Sequence, residues 1–106
     1  MAHLSTHVLD VSRGSPAAEV AIDLLCAGKL AGSYVTNADG RVGAIDVAPG
    51  VYDLVFHAGA YFRAQGLALA DPPFLDEVVI RFGIAEGRYH VPLLLSPYGY
   101  STYRGS

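Results

Sequence analysis

The stretch Tyr89-His90-Val91-Pro92-Leu93-Leu94-Leu95-Ser96-Pro97-Tyr98-Gly99-Tyr100-Ser101-Thr102-Tyr103-Arg104-Gly105-Ser106 decides the fold. Its first eight residues read as a strand. Period two puts Tyr89, Val91, Leu93 and Leu95 on one face and His90, Pro92, Leu94 and Ser96 on the other. Both faces are largely apolar. One fills a core; the other then needs a partner subunit, and His90 is expected on that intersubunit face. Ser96-Pro97-Tyr98-Gly99 supplies a turn, and residues 98–103 return as the last strand. A terminus is normally the loosest part of a domain. This one carries tyrosines and an arginine one turn away from a buried strand, so it is expected to dock and to belong to a site.

Upstream, glycines and prolines cut the chain into short runs. Residues 4–10, 18–25, 31–35, 41–47, 51–57 and 77–84 read as strands. In 18–25, Val20, Ile22 and Leu24 share a face; in 51–57, Tyr52, Leu54 and Phe56 oppose Asp53 and Val55. Asn37-Ala38-Asp39-Gly40 is a hairpin turn, because Asp-Gly accepts positive φ easily. Residues 11–16 read as a turn and 67–73 as a loop. Residues 58–66 break the alternation and predict one short helix. Seven or eight strands with one helix give an all-β, two-sheet sandwich, with 1–106 as a single domain.

The composition narrows the function. Hydrophobic residues make up 52% of the 106 and charged residues 16%, an excess that predicts a subunit interface. A net charge of −3 leaves no basic footprint for nucleic acid. No apolar run is long enough to span a membrane, and Met1-Ala2-His3 opens no secretory signal. Cys26 is the single cysteine and fits a reducing compartment, so a cytoplasmic protein is expected.

Several residues could carry chemistry. His7 sits within the first strand with Ser5 and Leu9 on its face, and His90 opens the penultimate one. A strand histidine is more often a hydrogen-bonded structural residue than a catalyst, and spacing does not show that the two meet. Arg41 is either a solvated hairpin arginine or an anion clamp with a planar fork suited to oxyanions. Arg104 either pairs with a nearby acid or the terminal carboxylate, or serves a site. Ser106 matters only if the tail folds over a pocket. Asp10 reads as the Asx residue of the following turn, Cys26 as a small apolar filler, and His3 and His57 as exposed. His3, His7 and His90 lack compact metal spacing, so no metal is expected. No phosphate loop and no GxSxG elbow occur.

Taken together, Ser5-Thr6-His7-Val8-Leu9-Asp10 with Gly14 and Pro16-Ala17, Asn37-Ala38-Asp39-Gly40-Arg41, Gly59-Ala60-Tyr61-Phe62, the block from Tyr89 to Pro97 and the closing Tyr103-Arg104-Gly105-Ser106 resemble the 5-hydroxyisourate hydrolases, the transthyretin-related proteins of purine catabolism. The likeness runs nearly end to end. The terminal tetrapeptide is its most specific part, because the hormone carrier of the same fold lacks it. The resemblance implies a transthyretin-like sandwich, a homotetramer with active sites at the interface between dimers, and no cofactor. It implies hydrolysis of the lactam of 5-hydroxyisourate to 2-oxo-4-hydroxy-4-carboxy-5-ureidoimidazoline. The implied catalytic set is His7, Arg41 and His90, with Tyr103, Arg104, Gly105 and Ser106 binding substrate. Departures are a shorter 26–35 and 42–51, the absence of tryptophan, His57 where relatives carry an acid, and Phe74-Leu75-Asp76-Glu77 in place of a common Phe-Phe-Pro-Glu. The rival readings are a small-ligand carrier using the central channel of such a tetramer, and a structural sandwich, which predicts a longer parent chain and an exposed tail.

Overall fold

Alternation in the first strand sets the architecture. Leu4, Thr6, Val8 and Asp10 are buried, while Ser5, His7 and Leu9 are half-buried on the opposite face. The computed structural model describes residues 1–105. The described residues form β1 (Ala2–Asp10), β2 (Ser15–Pro16), β3 (Ala21–Cys26), β4 (Lys29–Val35), β5 (Arg41–Val47), β6 (Gly50–Phe56), α1 (Ala58–Ala64), β7 (Val78–Ile84), β8 (Gly87–Ser96) and β9 (Gly99–Thr102).

Two sheets pack face to face. The first runs β2-β1-β8-β9, with β5 also paired to β1; the second runs β4-β3-β6-β7. β1 and β8 are parallel neighbours in unbroken register from Ala2↔Gly87 to Asp10↔Leu95. Between the sheets lie Leu4, Val8, Ile22, Leu24, Leu54, Phe56, Leu93 and Leu95, each at most 1% exposed. Each such side chain contributes about 1.5–3 kcal/mol by leaving water. The face assignment read for β8 holds: Val91, Leu93 and Leu95 enter the core, and His90 lies on the other side. Buried polar groups are satisfied. Thr6 Oγ1 donates to the Val91 carbonyl at 2.7 Å, and Thr36 Oγ1 donates to the Ala17 carbonyl at 2.7 Å.

Asp10 does what its position in the turn predicts, and more. Its carboxylate accepts from the backbone N–H groups of Ser12 and Arg13, and also from the hydroxyl of Tyr61 at 2.8 Å. That last bond ties α1 to the end of β1. Residues 15 and 16 form a short strand rather than part of the expected turn, because the chain reverses at Gly14 and pairs back onto Leu9 and Asp10. Cys26 is half-buried against the core. His3 is exposed, as expected, and pairs with Asp46. His57 is not exposed as its position suggested. It sits at the start of α1 with only 29% of its side chain accessible, Nε2 facing Asp23 at 3.0 Å and Nδ1 facing Glu77 at 3.6 Å.

One irregularity bears on the site. β5 pairs Ile45 with Leu4 and Val42 with Thr6, so Gly43 and Ala44 together oppose Ser5. This is a β-bulge, a feature over-represented beside active sites. Ala44 adopts φ 57°, where a Cβ is penalised by about 1–2 kcal/mol. Ala44→Gly is therefore expected to raise the melting temperature by a few degrees in a thermal scan, after glycine's own entropy cost is subtracted. A lowered melting temperature would show that the Ala44 methyl makes a contact worth more than the strain.

Candidate active site

Strand pairing brings the distant residues together. β1 and β5 place His7 opposite Arg41, and β1 and β8 place Ser5 opposite His90. Partners in a ladder share a face, and residues two apart share it too. Ser5, His7, Arg41 and His90 therefore gather on the outward face of the first sheet.

Each is held by local chemistry. Arg41 follows the turn 37–40, where the Asn37 side-chain oxygen accepts from the N–H groups of Asp39 at 2.9 Å and Arg41 at 3.0 Å. Gly40 has φ +74°, and a Cβ there would meet the Val8 carbonyl oxygen at 2.5 Å. Only glycine lets the turn close against β1 and set Arg41 beside His7. His90 is held at its ring and at its backbone. Ser5 Oγ lies 2.8 Å from Nδ1, and the Gly105 N–H donates to the His90 carbonyl at 2.7 Å. The Gly105 bridge continues the β8–β9 register past Thr102.

The electrostatics favour a neutral imidazole. Burial pushes the pKa of His90 below its ordinary value of 6.5, and the charges of Arg41 and His7 push it the same way. A cleft of about 670 Å³ opens here, lined by Ser5, Arg41, Gly43, Ala44, Arg88 and His90 with parts of β1. His7 lies just beyond this lining, next to Arg41. The wall is rich in cations and suits an anionic small molecule.

The tail docks, but its residues divide. Gly105 meets the ring of His90, while Tyr103 and Arg104 line a neighbouring depression of about 330 Å³ with Ile80, Phe82, Tyr89 and Val91. Among the described residues, Arg104 pairs with no carboxylate. Its guanidinium lies 4.0 Å over the Tyr89 ring and donates to the Arg88 carbonyl at 3.1 Å. An aromatic face is a good seat for a planar cation. Tyr89 lines both openings, so the tail borders the cleft from behind. Ser106 lies outside the described residues.

Two features escaped the sequence. They are the contact of Ser5 with the His90 ring and the place of Arg88 on the cleft wall. The parallel β1–β8 register, which joins residues 85 apart, leaves no local signal for either.

Comparison with known proteins gives a consistent result. Residues 4–105 match the model of the HIUase/Transthyretin family. A 5-hydroxyisourate hydrolase of Pseudomonas aeruginosa is 50% identical over 117 residues, covering 100% of this chain and 93% of the relative. A 5-hydroxyisourate hydrolase 2 of Rhizobium meliloti is 54% identical over 114 residues, covering 97% of this chain and 95% of the relative. Among solved structures, the 5-hydroxyisourate hydrolase of Klebsiella pneumoniae superposes with a TM-score of 0.90 at 38% identity, with 100% of both chains covered.

Proposed function

The chain belongs to the HIUase/Transthyretin family, and we propose that it hydrolyses the lactam bond of 5-hydroxyisourate to give 2-oxo-4-hydroxy-4-carboxy-5-ureidoimidazoline. The observation that carries this reading is the strand pairing that sets two imidazoles and a guanidinium on one face of the first sheet, with Arg41 and His90 lining the cleft and His7 beside Arg41 at its edge. A carrier has no need of such a set. Relatives at 50 and 54% identity bear the hydrolase name, which also favours catalysis over carriage.

Lactam opening needs an activated water, charge relief at the carbonyl oxygen and a proton for the leaving nitrogen. His7 and His90 are the two imidazoles able to carry the proton transfers, and a proton-transfer role of this kind is worth about 10²–10⁴ in rate. Water loses a proton to an imidazole as its oxygen bonds to the carbonyl carbon. The C–N bond then breaks, and the nitrogen takes a proton back. Arg41 faces the oxygen that gains charge, a contribution of roughly 3–4 kcal/mol for a well-aimed donor. Residues 103–105 support the site: Gly105 stands against His90, Arg104 braces Tyr89, and Tyr103 lines the depression behind it. Residues 1–106 work as one domain of this kind.

The outward face of the first sheet is also the proposed contact between dimers of a homotetramer. Leu9, Pro92 and Leu94 alternate there with the polar groups. Large apolar side chains elsewhere, among them Leu30, Val35, Phe74 and Val79, are exposed on the single chain. Among the described residues, no helix is long and apolar enough to cross a membrane.

Ultraviolet decay of freshly made 5-hydroxyisourate, with and without protein, tests the activity. Unchanged decay at micromolar protein would remove the reading. Sedimentation at the assay concentration tests the assembly, and a fully active monomer would remove the shared site.

The pH dependence follows from His90. Its pKa is lowered by burial and by the charges of Arg41 and His7, so the acid limb of kcat/KM is expected below the ordinary value of 6.5. For stability, the unfolded chain binds the proton at higher pH than the folded one. His90 therefore costs stability as pH falls from the unfolded value of 6.5 toward the lower folded value, and costs nothing above it. A kcat/KM profile with its acid limb above 6.5 would contradict this environment.

A further inference from the structure

We infer that Ser5 is a positioning residue of this site: its hydroxyl accepts the proton of His90 Nδ1 and so reserves Nε2 for the transfer of protons to and from the reacting groups. The inference rests on the hydrolase reading above and adds a residue to it. The contact is specific. Oγ and Nδ1 are 2.8 Å apart in a part-buried setting, between residues 85 positions apart. Among the described residues, Nε2 has no hydrogen-bond partner in the chain, while the ring lines the cleft.

The bulge gives the contact its shape. Gly43 and Ala44 together oppose Ser5, and all three line the cleft beside the ring. On the other side of the ring stands Gly105, where a Cβ would lie 2.6 Å from Cδ2. The imidazole thus has little freedom to rotate. A near-attack geometry depends on such restraint.

The chemistry of a hydroxyl differs from that of a carboxylate in the same place. A carboxylate would hold the imidazolium and raise its pKa. A hydroxyl is uncharged and can accept from Nδ1 in both states of the ring. With Nδ1–H donated to Oγ, the lone pair of Nε2 is free to take a proton from water. The resulting imidazolium keeps the same bond to Oγ, and Nε2–H later returns the proton to the leaving nitrogen. No hydrogen bond need be remade between the two steps. Burial, Arg41 from β5 and His7 from β1 all push toward the neutral ring, which fits a base rather than a fixed cation.

Ser5→Ala is the test, with Ser5→Thr as the conservative partner. Ser5→Ala is expected to lower kcat on the order of 10²-fold, the cost of a misplaced catalytic group, with KM little changed. Ser5→Thr is expected to recover most of that loss. Nitrogen-15 NMR of His90 in the wild-type tetramer is expected to find the proton on Nδ1, and a mixture of tautomers in Ser5→Ala. A wild-type ring protonated on Nε2 alone overturns the inference, whether or not the variants fold. So does a folded Ser5→Ala with wild-type kcat and pH profile. An inactive wild-type protein would instead sink the hydrolase reading, and the NMR result would still decide the role of Ser5.

Discussion

His90→Ala is expected to fold and to lose about 10²- to 10⁴-fold in kcat. The fold survives because His90 projects from the outward face of β8, while Val91, Leu93 and Leu95 carry its core face. The Gly105 bridge uses the His90 backbone carbonyl, which alanine keeps. Ser5 loses a partner, but it is only half-buried, so the change in stability should stay within about 1 kcal/mol. The loss in rate is larger because the ring itself is removed from the cleft wall, while the strand that carries it is kept. His7→Ala is expected to fall in the same range, since His7 sits beside Arg41 and is the other proton-transfer group of the site. The measurement is kcat for 5-hydroxyisourate beside a melting curve. A His90→Ala protein turning over at wild-type speed would end the assignment.

Gly105→Ala is the second large effect. The added methyl would stand 3.2 Å from Cγ of His90 and 2.6 Å from Cδ2, the latter closer than packed carbons come. Either the ring or the tail must move. A displacement of about 1 Å costs on the order of 10² in rate, because the reacting geometry is lost before any chemistry begins. Stability depends little on this contact, as Gly105 lies beyond the last ladder residue of β9. Deleting residues 104–106 is expected to act the same way, removing the Gly105 bridge and the Arg104 cover on Tyr89 together. Activity should drop far more than the melting temperature in both proteins. Equal loss of both would make the tail a structural strap.

The alternation of residues 89–96 was enough to assign the two faces of β8, and with them the position of His90. The turn at 37–40, the helix after Phe56 and the capping role of Asp10 were equally legible, because each depends on residues close in sequence. His57 was misread as exposed because its partners, Asp23 and Glu77, come from other segments. The bulge at Gly43 and Ala44 was hidden for a related reason. A bulge is a mismatch between two strands, and neither strand shows it alone.

Sequence by itself determined the sandwich, the inward and outward faces of its strands and the residue types able to move a proton. Those are matters of local period and side-chain chemistry. Only the tertiary structure decided that His90 sits beside Ser5, that Arg41 sits beside His7, and that Arg104 rests on Tyr89 while Gly105 grips the imidazole. The physical reason is that strand pairing is non-local: the ladder energy is nearly the same for many partners and registers, and burial of the whole core selects one of them.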